Sequence, residues 1–255
     1  MAEHITQALV LAAGLGTRMG PLTADRPKPL VEVAGRSLID RVIDRLRQAG
    51  VSRIVVNLHY KADLLQSHLE ERDDVEIVFS DERAHLLDTG GGMAHALPLF
   101  GGTPFIVHNS DSIWVEGPHQ NLKNLIEHWD AARMDSLLLL GDCGHALGFD
   151  GAGDFFRAAD GRLTRRGTKT KAPFVWTGVQ IVSPAFLAAC PKGAFSANIL
   201  LDQALDRRRL FGLVLDGTWM HVGSPEGVRE AEQWIYKDGP PENSVNPRSD
   251  SGGKD

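Results

Sequence analysis

The sequence predicts an α/β fold, a mixed and mostly parallel sheet with helices on both faces. Three observations carry that expectation. Through the first two thirds of the chain, short aliphatic or β-branched runs alternate with longer segments of helical period, the pattern of repeated βαβ units. A glycine-rich loop leaves the first of those runs directly, and the connections that follow are short, as one compact unit requires. The 255 residues, 42% hydrophobic and 24% charged, suffice to enclose a full core.

In chain order, residues 7–13 read as the first strand, closed by the loop that runs through Pro29. Ser37 with Asp40 three positions on has the form of a capping box. Leu38, Ile39, Val42, Ile43 and Leu46 then recur at helical spacing until Gly50 supplies a stop. Strands at 53–58, 75–79 and 104–108 alternate with helices at 63–69 and 90–97. After Gly117 the rhythm changes to a helix at 122–132, a strand at 136–140 and a Gly- and Asp-rich stretch, 141–167, that reads as hairpins with a functional loop. A strand at 177–181, a helix at 197–206 and a closing helix at 224–234, with Ser224 as N-cap and Pro225 in its first turn, complete the pattern. Residues 239–255 hold almost no apolar side chain and are expected to be disordered.

Composition excludes several function classes. Acidic residues outnumber basic ones 33 to 27, a net charge of −6, so no global positive field holds a nucleic acid. Two cysteines, Cys143 and Cys190, build neither a disulfide framework nor a Cys-rich zinc site, and point to a reducing cytoplasm. The N-terminal stretch carries an acid where a secretion signal is basic. No apolar run approaches the roughly 20 residues needed to cross a bilayer, so no membrane partner is expected.

The stretch 11–30, LAAGLGTRMGPLTADRPKPL, carries most of the functional information. Glycines leaving a buried strand let backbone N–H groups point inward, a nest for phosphate oxygens, although Gly14 and Gly16 alone also suit a plain tight turn. A dinucleotide fingerprint would need glycine where Met19 stands, and a Walker loop would need Gly-Lys-Ser/Thr where Gly16-Thr17-Arg18 stands. Arg18 offers a planar fork to phosphate oxygens. Lys28, between Pro27 and Pro29, offers a point charge on a stiff segment.

These residues, with Pro21-Leu22-Thr23 and Pro27-Lys28-Pro29-Leu30, resemble the signature of the sugar-1-phosphate nucleotidylyltransferases. Asp88-Thr89-Gly90-Gly91-Gly92, Asn109-Ser110-Asp111, Gly153-Asp154-Phe155 and Trp219-Met220-His221-Val222-Gly223 extend the resemblance over about 7–235. It implies a Rossmann-like nucleotide-diphospho-sugar transferase fold in one domain over 1–238, its nucleotide part about 7–116 and its sugar part about 117–235. It also implies Mg²⁺ as cofactor. The implied reaction joins a nucleoside triphosphate to a sugar 1-phosphate, with UTP and N-acetylmuramate 1-phosphate of cell-wall recycling ahead of GTP and mannose 1-phosphate.

By the same resemblance, backbone groups of Ala12, Ala13, Gly14 and Gly16 cradle the nucleotide, Arg18 grips the β- and γ-phosphates, and Lys28 neutralises the α-phosphate. Thr89 and Gly90 contact base and sugar, Asn109, Asp154 and Gly178 line the acceptor pocket, and Asp111 binds the metal. The chain departs from the family pattern at His221, where many relatives carry a second metal-binding Asp. Imidazole can bind a metal but prefers softer ions than Mg²⁺. His221 is therefore either a metal ligand or the mark of a one-metal site, and a nucleotide-binding module without catalysis is the rival it would favour. Oligomeric state is open.

Overall fold

The structure, a computed structural model, describes residues 4–237, so the tail expected at 239–255 lies outside the described residues. Strand β1 is Gln7–Leu11, followed by a hairpin of β2 (Glu32–Val33) and β3 (Arg36–Ser37). Then come α1 (Leu38–Gln48), β4 (Arg53–Leu58), α2 (Ala62–Glu70), β5 (Glu76–Asp81), α3 (Asp88–Ala96) and β6 (Phe105–Asn109). The second part holds β7 (Ser112–Glu116), α4 (Asn121–Glu127), β8 (Ser136–Asp142), β9 (Phe155–Arg157), β10 (Leu163–Arg165) and β11 (Phe174–Val182). It closes with α5 (Asn198–Asp206), β12 (Leu210–Val214), β13 (Gly217–His221) and α6 (Pro225–Lys237).

The nine-stranded sheet runs β10-β9-β11-β6-β1-β4-β5, with β8 and then β12 paired alongside β11. Strands β1, β4, β5, β6, β8, β9 and β12 share one direction while β10 and β11 oppose it, which makes the sheet mixed and mostly parallel as the sequence predicts. Side chains alternate across it. In β1, Ala8 and Val10 face the layer packed by α1, α2 and α4, while Leu9 faces the layer of α3 and α5. A third cluster, with Met19, Leu38, Met220 and Val228, packs beneath the β7–β13 ribbon and α6. No helix among the described residues is long and apolar enough to cross a membrane.

Ser37 caps α1 as its spacing predicts, its Oγ accepting from Asp40 N at 3.1 Å. The Asp40 carboxylate accepts from the Ser37 hydroxyl and from Arg72 rather than from the Ser37 backbone. The helix expected at 122–132 ends instead at Glu127. The Arg209 guanidinium takes the Ala131, Ala132 and Met134 carbonyls, and a side chain so placed satisfies those groups without further helix. Strands β7, β12 and β13 are not foreseen, because each is a five-residue run whose pairing is distant in sequence.

Candidate active site

Strand order reverses at β1, which pairs with β4 on one side and β6 on the other, and such a switch opens a crevice at the carboxyl ends of the strands. A cleft of about 540 Å³ lies there. The glycine loop Ala12–Arg18 leaves β1 into it, Asn57 reaches it from the end of β4, Glu82 from beyond β5, Thr89 from the start of α3, Asn109 from the end of β6 and Asp111 from just beyond it. Lys28 comes from the short 3-10 turn Lys28–Leu30, set by Pro27 in extended conformation.

Lys28 Nζ and Asp111 Oδ2 form an ion pair at 2.5 Å, with both side chains mostly withdrawn from solvent. Burial pushes the Asp111 carboxyl up, but the Lys28 charge and hydrogen bond outweigh it and hold the group ionised below the usual range. His221 lies in an adjoining recess that also touches Arg18 and Gly223. Burial lowers its pKa and the Lys28 and Arg18 charges act the same way against the pull of Asp111, so the imidazole is neutral at neutral pH. Gly223 lets the ring lie close, since a Cβ there would stand 2.5 Å from His221 Nε2.

The glycine loop is only partly free to meet phosphate. Ala12 N and Ala13 N both donate to Asn57 Oδ1, at 2.6 and 3.2 Å, so these two expected cradle groups are already bonded. The N–H groups of Gly14, Leu15 and Gly16 find no acceptor among the described residues and remain for an anion. Gly16 adopts φ +65°, where Lys28 Cβ and Thr23 Cγ2 pack at 3.0 and 3.1 Å from where its own Cβ would be.

Ala12, Ala13, Gly14, Gly16, Arg18, Lys28, Thr89, Asn109 and Asp111 thus gather at one cleft. Gly90 does not line it: its N–H donates to Phe195 O at 2.9 Å, and the Phe195 ring occupies the space of a Cβ. Of the two residues expected at base and sugar, Thr89 lines the cleft and Gly90 does not. Thr89 also accepts from Ala197 N through its hydroxyl. Gly178 sits in the bulge of β11 at φ +82°, and the Asn109 amide fills the place a side chain would take. Asn109 Oδ1 is buried without a partner among the described residues, an acceptor beside the cleft. Asp154 stands behind the same bulge, its Oδ2 accepting from Trp176 N at 3.0 Å.

Sequence reasoning missed Asn57 and Glu82. The signal was there: a lone amide inside the apolar run of β4 and a carboxylate just past β5, both almost fully buried.

For a metal, the donor set is spare. Among the described residues no three His, Cys, Asp or Glu side chains gather to hold one. Mg²⁺ commonly takes one or two carboxylates with substrate phosphates and its own waters, so Asp111, a carboxylate set beside the glycine loop, fits that mode. The neutral His221 nitrogen does not add a hard oxygen ligand.

The pattern of the nucleotidyl transferase family matches residues 7–141. An N-acetylmuramate alpha-1-phosphate uridylyltransferase from Caulobacter vibrioides is 47% identical over 236 residues, 91% of this chain and 98% of that protein. The chain belongs to the nucleotidyl transferase family. A second uridylyltransferase of the same name, from Neisseria meningitidis serogroup B, is 34% identical over 89% of this nucleotidyl transferase and 96% of its own length. A crystal structure described as a glucose-1-phosphate thymidylyltransferase from Bacillus anthracis shares the fold at TM-score 0.75 and 15% identity, covering 91% of this nucleotidyl transferase and 95% of that chain.

Proposed function

We propose that this nucleotidyl transferase joins UTP to N-acetylmuramate 1-phosphate, releasing pyrophosphate and forming the UDP-sugar. A phosphate oxygen of the sugar phosphate attacks the α-phosphorus, and the bond from that phosphorus to the β-phosphate oxygen breaks. A phosphomonoester is mostly dianionic at neutral pH, its second pKa being about 6, so the attack needs no protein nucleophile. What it needs is compensation of crowded negative charge.

The observation that carries the reading is the Lys28–Asp111 pair set beside unspent loop N–H groups. In this reading Gly14, Leu15 and Gly16 donate to the triphosphate, Lys28 neutralises charge at the α-phosphate, and Arg18, at the border of both recesses, grips the β- and γ-phosphates. Asp111 holds Mg²⁺, which supplies further charge neutralisation when bound. Thr89 faces the nucleoside; Asn109, held against Gly178 and backed by Asp154, meets the acceptor, so the sugar-binding part is drawn from about residues 117–235 with Asn109. His221 positions rather than ligates, so one metal serves. The reading carries with it a cytoplasmic place in cell-wall recycling, with which two free cysteines agree.

Pyrophosphate release with Mg²⁺, measured across UTP, GTP, CTP and ATP crossed with N-acetylmuramate, mannose and glucose 1-phosphates, tests the reading. UTP with N-acetylmuramate 1-phosphate is the expected productive pair. Turnover confined to GTP and mannose 1-phosphate would replace it with guanylyl transfer, and silence across the grid with triphosphate still bound would leave a binding module.

A further inference from the structure

Strand β4 is apolar through Ile54, Val55, Val56 and Leu58, yet Asn57 interrupts it at 2% exposure. Its amide is engaged at both ends. Oδ1 accepts from Ala12 N and Ala13 N, while Nδ2 donates to Glu82 Oε1 at 2.8 Å. Glu82 is itself 3% exposed and forms no salt bridge among the described residues; its other oxygen accepts from Leu87 N at 3.4 Å. Over this pair stands Gly92, where a Cβ would come within 3.0 Å of both Asn57 Nδ2 and Glu82 Oε1.

A carboxylate buried without a cation is a costly way to fill a core, and an apolar pair of the same shape would be near neutral. The pair persists where the glycine loop leaves β1. An amide can turn over, and only a fixed acceptor for Nδ2 keeps Oδ1 facing two backbone donors. We propose that Asn57 and Glu82 form a polar clasp that positions the nucleotide loop: Asn57 consumes the Ala12 and Ala13 N–H groups and thereby aims the next ones at the triphosphate, and Glu82 fixes the orientation of the Asn57 amide. Both residues line the cleft at the root of the loop, and the clasp acts through the loop it holds. It rests on the nucleotidyl transfer reading above.

The test exchanges the two groups. Asn57→Asp alone sets two carboxylates face to face in a buried place. Asn57→Asp with Glu82→Gln restores one amide and one carboxylate, with Asp at 57 accepting from Ala12 N, Ala13 N and the Gln amide. Calorimetric titration with UTP and Mg²⁺ is expected to show at least tenfold weaker binding for the single variant and recovery to within threefold of wild type for the double. Steady-state rates should place the loss in KM for the triphosphate, with kcat changed less than threefold. Binding by folded Asn57→Asp equal to wild type, or a folded double variant no tighter than the single one, would overturn the clasp. Should Asn57→Asp not fold, Gly92→Ala wedges the pair apart; threefold or greater weakening supports the clasp and unchanged binding overturns it. If wild type turns over another triphosphate but binds no UTP, the base in the functional reading is wrong and the same variants are titrated with that triphosphate. A wild type that binds none overturns both.

Discussion

Lys28 and Asp111, 83 positions apart, meet at 2.5 Å between the turn after the glycine loop and the end of β6. The pair cancels its own charge in a half-enclosed site, and a substrate polyanion changes that balance: the lysine finds phosphate, and the carboxylate is left to a cation. A 3-10 turn and the short turn after β6 are thus set against each other by one ion pair.

Removing either partner should therefore damage chemistry more than folding. Lys28→Met and Asp111→Asn are each expected to cost about 3 kcal/mol of transition-state stabilisation, the scale of one fixed charge or metal contact, or roughly a hundredfold or more in kcat. Single-turnover rates at saturating substrates check this. Rates within threefold of wild type for both variants would reject the site.

His221 supports a second prediction. Neutral and half-buried beside Asp111, it adds no hard oxygen ligand to that carboxylate. Substituting His221→Asp adds a second carboxylate, and Mn²⁺ titration without nucleotide should then show affinity raised about tenfold or more over wild type. Unchanged Mn²⁺ affinity would mean that position 221 does not face the metal.

The parallel half of the fold was legible because α1 and β4 declare themselves locally: a cap at Ser37, helical spacing from Leu38 to Leu46, and a β-branched run from Ile54 to Val56. The β7–β13 ribbon was not, since Ser112 pairs with His221 across more than a hundred residues and nothing local to either strand records it. The same holds at the site. Arg18, Lys28 and Asp111 stand in short motifs, whereas Asn57 and Glu82 acquire meaning only when β4 and β5 lie beside β1. Gly90 has the same limit: its neighbour is Phe195, which the sequence places far away.

That neighbour makes Gly90 a stability probe. Its N–H and that of Gly91 both donate to Phe195 O, and the aromatic ring lies where a Cβ would be. Gly90→Ala should overpack this contact and destabilise the fold by about 1–3 kcal/mol, with Phe195→Leu in the same chain recovering part of the loss. Urea midpoints at constant slope measure both. A Gly90→Ala chain as stable as wild type would show that the 193–197 segment yields freely.

His108 sets a pH dependence of stability whose sign can be worked out. Its ring is enclosed beneath Trp114 with Nε2 unpartnered among the described residues, and burial lowers its pKa to about 4, well below the ordinary 6.5. Below pH 6.5 the unfolded chain binds a proton that the folded chain refuses until about pH 4. Protons therefore favour unfolding across that window, and stability rises with pH through it. The full contribution, roughly 3 kcal/mol for a shift of this size, is present above about pH 6.5 and is lost as the pH falls toward 4. Unfolding free energies from urea titrations between pH 7.5 and 4.5 check this, with His108→Phe as the control: the aromatic replacement keeps the stack on Trp114 but cannot titrate. Wild type should lose more stability than the variant over this range, by a margin of one to three kcal/mol, roughly what the linkage relation allows. Parallel curves would mean that His108 takes up its proton in the folded chain as readily as in the unfolded one.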